Sequence, residues 1–196
     1  MTPPTYPLRP VNGGPLPKAM PKRGEWSYEP KYNGWRTLVH IATGTMFSRQ
    51  GEPLSIAHEF KAALDQLRVT LDAEAFKWAD CEALERRHDI GRGTLIVLDV
   101  VPDATSGCDL AFYTERRRWL TVLPVHDFGI KPPNDTILLP PIVAPEQWDD
   151  LQWVNKNIGC EFYEGMVAKK NNSPYPKQLR SPDTEFPFWM KHRWRF

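Results

Sequence analysis

Strand-like runs bounded by turn residues recur along this chain from Trp26 onward, and they restrict its fold more than any other feature. Asn33-Gly34 and Thr43-Gly44 are typical hairpin turns, so the first three runs are predicted to form a meander. Alternation and β-branched content predict strands at Trp26–Tyr32, Trp35–Ile41, Thr45–Arg49, Val69–Trp78, Thr94–Val101, Tyr163–Lys169 and Phe188–Arg193.

Three segments between these strands favour helices. Ser55–Leu67 carries its apolar residues on one stripe, Thr114 can cap a short helix through Leu123, and Pro145 suits the first turn of a helix through Trp153. Strands and helices do not alternate as regular βαβ units. The order predicts an α+β domain of largely antiparallel sheets with flanking helices.

The first 25 residues differ from the rest because prolines recur through them, with Gly13-Gly14 between. We expect residues 1–25 to form an extended arm without regular structure. Residues 26–196 have the length of one compact domain. The predicted organisation is therefore an arm followed by a single domain.

Composition excludes several classes of protein. The net charge is +1, although both ends of the chain are basic and the middle is acidic. Cys81, Cys108 and Cys160 are odd in number and widely spaced, which argues against a disulfide framework or a zinc site. The longest apolar stretch, Leu95 to Val101, is too short to span a bilayer. We expect a soluble cytoplasmic protein with no membrane partner.

Lys31 lies at the end of a predicted strand, in the stretch Glu29-Pro30-Lys31-Tyr32-Asn33-Gly34-Trp35-Arg36. An ordinary hairpin with a surface lysine explains this stretch without any function. A lysine amine becomes a nucleophile when neighbouring cations or burial lower its pKa. The chain has no Walker-type phosphate loop, so any nucleotide must be held by side chains from several strands. Cations that could surround Lys31 are Arg36, Arg49, Lys169 and Lys191.

The stretch from Lys31 to Arg36 resembles the K-x-D-G-x-R signature of covalent nucleotidyltransferases, above all the ATP-dependent DNA ligases. Further elements of that family follow in order along the chain, which makes coincidence improbable. They are Ser48-Arg49-Gln50-Gly51 for S-R-x-G, Leu71-Asp72-Ala73-Glu74 for L-D-G-E, Thr94–Val101 for the strand ending in an aromatic-Asp pair, Glu115-Arg116-Arg117-Arg118 with Leu120 for E-R-R-x-x-L, Glu164-Gly165-Met166-Val167-Ala168-Lys169 for E-G-[IVLM]-[MV]-x-K, and Trp189-Met190-Lys191-His192-Arg193 for W-x-K-x-K.

The resemblance implies a fold, a reaction and a set of site residues. The fold would be a ligase adenylation domain with an ATP-grasp-like arrangement. Lys31 would attack the α-phosphate of ATP to form lysyl-AMP, with Lys169 and Lys191 as further catalytic residues. Mg²⁺ would be bound by Glu164 and Glu74. The implied nucleotide-binding residues are Glu29, Tyr32, Arg36, Arg49, Glu74, Leu98, Met166, Lys169 and Lys191, and those for nucleic acid are Arg49, Arg116, Arg193 and Arg195.

The sequence departs from the family pattern at several positions. Asn33 stands where the family usually has Asp, Leu98 replaces an aromatic residue that stacks on adenine, and Arg193 replaces Lys. The chain ends three residues after the last element, so we expect no OB-fold domain. Nucleic acid would then be held by the domain itself, with strong salt dependence, or by a separate clamp protein.

Several functions remain open from the sequence. The arginine after Gly34 and the S-R-x-G and W-x-K elements favour sealing of nicked DNA in a bacterium or a virus. RNA ligases often lack the final OB motif, so an RNA-joining enzyme is the close alternative. A capping guanylyltransferase fits less well, because Glu29 favours adenine. Asn33 and Leu98 also suit a catalytically inactive relative that binds nucleic acid.

Overall fold

A computed structural model of the chain describes residues 6–21, 24–84, 90–102, 111–176 and 185–194. Within these ranges, strands form a four-stranded sheet of order β1-β9-β8-β2 and a five-stranded sheet of order β4-β3-β5-β6-β7. The strands are β1 Arg9–Gly13, β2 Trp26–Tyr32, β3 Trp35–His40, β4 Thr45–Phe47, β5 Trp78–Ala83, β6 Leu95–Val100, β7 Ile137–Leu138, β8 Tyr163–Lys170 and β9 Glu185–Arg193.

Helices pack on both sheets. They are α1 Lys61–Thr70, α2 Tyr113–Trp119 and α3 Trp148–Ile158, and short 3-10 turns precede α1 and α3 at Ser55–Phe60 and Pro145–Gln147 and follow α2 at Leu120–Val122. All neighbouring strands are antiparallel except the pairs β1/β9 and β6/β7. The predicted α+β fold class, with largely antiparallel sheets and flanking helices, is confirmed.

Two of the three apolar cores in the described part of the chain hold helices against these sheets. The stripe of α1, including Leu64 and Leu67, packs with Val97 of the five-stranded sheet. Leu151 of α3 packs with Met166 of β8 and Ile96 of β6, so the second core contains residues of both sheets. Burying one such side chain contributes about 1.5–3 kcal/mol. The second core therefore fixes the two sheets against each other.

The meander predicted at the start of the domain is only partly present. β3 and β4 form the expected hairpin at Thr43-Gly44, with Leu38 opposite Phe47. The hairpin predicted at Asn33-Gly34 is wrong, because β2 pairs with β8 while β3 pairs with β4 and β5. β2 and β3 pair with strands distant in the chain instead of with each other, so residues 33–34 connect the two sheets.

The strand predicted at Val69–Trp78 is also wrong. α1 continues to Thr70, and β5 begins only at Trp78. The side chain of Asp72 accepts hydrogen bonds from the backbone N–H groups of Glu74 and Ala75, at 2.8 and 3.4 Å. An aspartate that binds the backbone two and three residues ahead stabilises a turn rather than an extended strand.

The N-terminal arm contains regular structure that the sequence did not predict. Residues Arg9–Gly13 form β1, which runs parallel to β9 at the edge of the four-stranded sheet. Proline is tolerated in edge strands, because the missing N–H need not be paired there. The division into an arm and a domain stays a prediction.

No helix in the described part of the chain is long and apolar enough to cross a membrane. The cytoplasmic location expected from the sequence stays a prediction.

Candidate active site

A cavity of about 390 Å³ is lined by residues of both sheets. The strands β2, β3, β5, β6, β8 and β9 each contribute residues, and Tyr6, Arg9, Pro10, Gly34 and Arg49 complete the wall. Seven of the lining side chains are basic and three are acidic. The cavity is therefore a candidate site for an anionic ligand.

Lys31 lies in this cavity near the end of β2. Its Nζ atom is 2.6 Å from Oε2 of Glu164, and 17% of its side chain is exposed. Glu164 precedes Gly165, which pairs with Lys31 across the β2/β8 ladder. Gly165 has φ of 145°, and a Cβ atom there would lie 2.0 Å from the backbone oxygen of His192. The Glu-Gly pair is needed because only glycine lets β8 approach β9 here.

Gly34 brings a second carboxylate to the cavity. A Cβ atom on Gly34 would lie 2.5 Å from the backbone oxygen of Ala83, so the chain can pass β5 only as glycine. The Gly34 N–H donates to Oε1 of Glu82 at 3.2 Å. Burial raises the pKa of Glu82 to about 7, opposed by Lys31 and Arg36 and reinforced by Glu164. Glu82 is therefore held near the lysine and partly protonated at neutral pH.

Glu29, two residues before Lys31 on β2, also lines the cavity and is buried, with 1% of its surface exposed. Its Oε1 accepts hydrogen bonds from the Tyr113 hydroxyl at 2.6 Å and from Nη1 of Arg117 at 2.9 Å. Its Oε2 pairs with Nζ of Lys169 at 2.7 Å. These donors, two of them from α2, fix the orientation of the carboxylate.

Lys169 lines the cavity but is almost fully buried, with 2% of its side chain exposed. Besides Glu29, its ammonium donates to the backbone oxygen of Leu98 at 2.9 Å. The ammonium also lies 4.5 Å from the ring centroid of Trp189 and 5.0 Å from that of Tyr113. In this structure Lys169 is therefore committed to neighbouring protein groups, and its predicted contact with phosphate stays a prediction.

Arg36 is held rigidly in the wall. Its Nε and Nη2 atoms donate to the two carboxylate oxygens of Asp80, at 2.9 and 2.5 Å. Asp80 also accepts a hydrogen bond from the Tyr175 hydroxyl at 2.8 Å. Two-point pairing with a buried carboxylate raises the pKa of Arg36 well above its usual value, although burial opposes this. Its charge is thus present at every accessible pH.

Lys191 and Arg193 bring further cations from β9. The Nε atom of Arg193 is 3.3 Å from Oε2 of Glu164. Burial lowers the pKa of Lys191, and the nearby charges of Arg193, Arg9 and Lys31 lower it further. Arg49 also lines the cavity and is exposed. The residues predicted from the W-x-K-x-K and S-R-x-G elements therefore meet at the same site as Lys31.

The apolar wall of the cavity includes Leu98, as predicted, and Val167. Met166 does not line the cavity, because it is fully buried in the second core. Successive side chains of a strand point to opposite faces, and Val167 shares its face with Lys169. The alternation of side chains along β8 therefore predicts that Val167, two residues before Lys169, lines the cavity.

Tyr32 lines the cavity, but its ring is buried beneath it. The oxygen of its hydroxyl is 2.7 Å from Nδ1 of His126, which also lies 3.4 Å from the Tyr163 hydroxyl. Burial lowers the pKa of His126 to about 4. A neutral histidine thus links the end of β2 to the start of β8.

Glu74 does not reach the cavity. It is exposed and lies in the turn that Asp72 stabilises, whereas Glu82 on β5 lines the cavity. Two Asp-x-Glu triplets lie eight residues apart in this part of the chain, Asp72-Ala73-Glu74 and Asp80-Cys81-Glu82. The L-D-G-E resemblance selects the first triplet, whereas the structure brings Glu82 of the second to the site. The alternation from Trp78 to Ala83 was the signal that could have identified it.

The predicted nucleic-acid contacts are only partly at the surface. Arg116 is fully buried, and its Nε donates to Oδ1 of Asp99 at 2.9 Å, so it cannot contact nucleic acid in this fold. Arg49 and Arg193 lie at the cavity, and Arg195 lies outside the described residues. Asn33 lines a neighbouring cavity of about 490 Å³ that shares Glu164 and Arg193 with the first.

The predicted metal ligands are not brought together, because Glu164 is in the cavity and Glu74 is not. Among the described residues, no group of three or more histidine, cysteine, aspartate or glutamate side chains could hold a metal ion alone. Glu164 and Glu82 both line the cavity. Burial is the main cause of the raised pKa of Glu82, and the negative charge of Glu164 raises it further. One or two carboxylates plus substrate phosphates form a common magnesium site, so this pair fits the ion.

Comparison of the fold with solved structures defines the class of protein. The crystal structure of the ligase domain from M. tuberculosis LigD matches with a TM-score of 0.57 and 19% identity, covering 95% of this chain and 59% of that chain. A mycobacterial DNA ligase D complexed with ATP and MES matches with a TM-score of 0.56 and 20% identity, covering 95% and 60%. The chain has the fold of a ligase nucleotidyltransferase domain.

Sequence comparison adds a relative. The bifunctional non-homologous end joining protein LigD of Bacillus subtilis (strain 168) is 28% identical over 209 aligned residues, which cover 91% of this chain and 33% of that protein. The chain thus spans about a third of the length of this relative. No protein-family model matches the chain. The chain is similar to LigD in sequence and to LigD ligase domains in fold, and its resemblance to the ATP-dependent DNA ligases is confirmed.

Proposed function

We propose that this chain is an ATP-dependent polynucleotide ligase that adenylylates itself on Lys31 and seals 5′-phosphate/3′-hydroxyl nicks in duplex DNA. The observation that carries the proposal is the position of Lys31, whose amine lies in a cationic cavity 2.6 Å from Glu164. Similarity to LigD, an end joining protein, and to a mycobacterial DNA ligase D supports DNA as the substrate.

The buried end of the cavity suits an adenine base. A carboxylate offers about four acceptor positions, and Glu29 already accepts from Tyr113, Arg117 and Lys169. One position remains for the exocyclic amino group of adenine, which guanine does not carry at that ring position. Leu98 and Val167 supply apolar surface for the ring. This arrangement favours ATP over GTP.

The other charged residues of the cavity have separate roles in the transfer of AMP to Lys31. Glu82 accepts a hydrogen bond from a ribose hydroxyl, and Lys31 faces the α-phosphate. A nitrogen–phosphorus bond forms as the bond to the β-phosphate oxygen breaks, and pyrophosphate leaves. Glu164, 2.6 Å from the amine, accepts the lysine proton. Lys191 and Arg49 stabilise the charge that develops on the phosphate oxygens.

Magnesium would be held by Glu164 and Glu82 together with nucleotide phosphates. When bound, such an ion neutralises phosphate charge and orients the phosphates. Lys31 is already fixed by Glu164, so the protein contribution is positioning of the amine and of the surrounding cations.

Sealing then uses the same cavity. The 5′-phosphate at the nick attacks the adenylate, which frees the Lys31 amine, and the 3′-hydroxyl then displaces AMP. Arg49 and Arg193 lie where they can contact the nick phosphates. Because such binding depends on phosphate contacts, sealing should fall steeply between low and moderate salt.

The test is covalent labelling. Purified protein is incubated with magnesium and α-labelled ATP, GTP or NAD and then denatured, and Lys31→Ala is compared with Lys61→Ala, an exposed lysine on α1. We expect label from ATP alone, lost in Lys31→Ala and kept in Lys61→Ala. Label that persists in Lys31→Ala would exclude Lys31 as the nucleophile. A folded wild-type protein, free of bound AMP, that takes no label would be a non-catalytic binding protein.

Matched nicked duplexes then decide the substrate. One has only DNA strands, and the other has an RNA strand at the nick. Faster sealing of the DNA nick is expected, and a clear preference for RNA would overturn that part of the proposal.

A further inference from the structure

The N-terminal segment is docked firmly beside the cavity. β1 pairs with β9 so that Asn12 lies opposite Lys191, one of the cavity cations. The Leu8 N–H donates to the backbone oxygen of Pro176 at 2.8 Å, and Nδ1 of His192 donates to that of Gly14 at 2.7 Å. These contacts fix residues 6–14 against the body of the domain.

This segment contributes Tyr6, Arg9 and Pro10 to the cavity wall. The Tyr6 hydroxyl donates to the backbone oxygen of Arg36 at 2.9 Å. The Arg36 guanidinium lies 5.8 Å from the ring centroid of Tyr6 and 5.6 Å from that of Trp189. The N-terminal segment therefore forms one side of the clamp around Arg36.

Arg9 is an exposed cation in this wall, and it makes no ion pair within the described part of the chain. Arg36 and Lys169, in contrast, are neutralised by Asp80 and Glu29. In the sheet order β1-β9-β8-β2, the strand of Lys191 lies between the strand of Arg9 and that of Lys31. Glu185 is the register partner of Arg9 on β9, but these two described residues form no ion pair. Like charges brought together in a cavity repel one another unless an anion joins them.

The order Lys31, Lys191, Arg9 matches an extended polyphosphate. If the α-phosphate is at Lys31, as the proposed function requires, the remaining phosphates can pass Lys191 and reach Arg9. A guanidinium suits this contact, because its fork of donors binds two phosphate oxygens at once.

We propose that β1 is part of the active site and that Arg9 binds the terminal phosphates of ATP, the pair that leaves as pyrophosphate. This inference rests on the proposed function, because it places the α-phosphate at Lys31. It assigns the N-terminal segment a role in the first step of the reaction.

The kinetic test compares Arg9→Gln with Arg68→Gln, an exposed arginine on α1 that does not line the cavity. Three rates are measured: lysyl-AMP formation against ATP concentration, release of AMP from the adenylylated protein by pyrophosphate, and sealing of a nick that already carries 5′-adenylate. The first two should fall about tenfold to a hundredfold in Arg9→Gln at subsaturating ligand, because a charge-assisted contact is lost. Sealing of the adenylylated nick, which uses neither ATP nor pyrophosphate, should match that of Arg68→Gln.

Two results would overturn the inference. If both variants behave alike in the first two steps, Arg9 does not bind the terminal phosphates. If Arg9→Gln slows only the sealing of the adenylylated nick, the phosphate that Arg9 binds belongs to nucleic acid.

A binding measurement separates this inference from the proposed function. Calorimetry on Lys31→Ala protein, with and without Arg9→Gln, gives the affinities for ATP and for AMP without any chemistry. The preference for ATP over AMP should fall by about tenfold when Arg9 is replaced. This result stands even if the wild-type protein forms no covalent adduct, and an unchanged preference would reject the role of Arg9.

Discussion

Replacing Glu82 tests which of the two Asp-x-Glu triplets serves the active site. Glu82→Ala removes a carboxylate that binds the Gly34 N–H at 3.2 Å and, in the proposed complex, a ribose hydroxyl. A hydrogen bond to a charged group contributes about 1.5–3 kcal/mol, and a factor of ten corresponds to about 1.4 kcal/mol. The second-order rate of lysyl-AMP formation should therefore fall about tenfold to a hundredfold.

Two further variants sharpen this prediction. Glu82→Gln keeps an acceptor for Gly34 but loses the charge, so its rate should fall about tenfold or less. Glu74→Ala changes an exposed residue in a turn outside the cavity, so its rate should stay within about twofold of wild type.

The pH dependence provides an internal check. Burial raises the pKa of Glu82 to about 7, so its charged form increases as the pH rises through neutrality. The wild-type rate should rise through this range, and Glu82→Gln should lose that component. The assay is single-turnover labelling with α-labelled ATP at several concentrations. A large loss in Glu74→Ala with a normal rate in Glu82→Ala would refute the reasoning.

Two predictions concern stability. Because burial lowers the pKa of His126 to about 4, the unfolded chain binds more protons below about pH 6.5. As the pH falls from 7.5 to 5.5, His126 should lower the free energy of unfolding, measured with urea, by about 1.4 kcal/mol. An equally large decrease in His126→Gln would contradict this. Arg116→Met leaves Asp99 as an unpaired buried charge and should lower the free energy of unfolding by about 3–5 kcal/mol. A variant that is as stable as wild type but binds DNA more weakly would show that Arg116 contacts nucleic acid.

The sequence alone determined the elements whose local signals are strong. The strand Trp26–Tyr32, the hairpin at Thr43-Gly44 and the helix introduced by Pro145 were all predicted from residues close together in the chain. The order of motifs also identified the class of fold and most side chains of the cavity. Lys31, Glu164 and Lys191 could be selected because each stands in a distinctive short pattern.

Only the tertiary structure decided between segments with similar local patterns. The triplets that begin at Asp72 and Asp80 satisfy the same motif. The Asp72 side chain stabilises a turn in the first, whereas the second is part of β5, which pairs with β3 and β6. Asn33-Gly34 could close a hairpin, yet β2 forms a longer ladder with β8. These choices depend on partners outside the local segment: Asp80 lies 44 residues from Arg36, and β2 pairs with β8 more than 130 residues away.

The arm and Arg116 show the same limit. Residues 9–13 carry no strong strand signal, and they become a strand because β9 offers them an open edge. The sequence predicts a surface position for Arg116. In the structure Arg116 is buried, where it forms an ion pair with Asp99 on β6. Local sequence fixes what each segment and charge can do, but the free energy of long-range pairing selects which of these possibilities is realised.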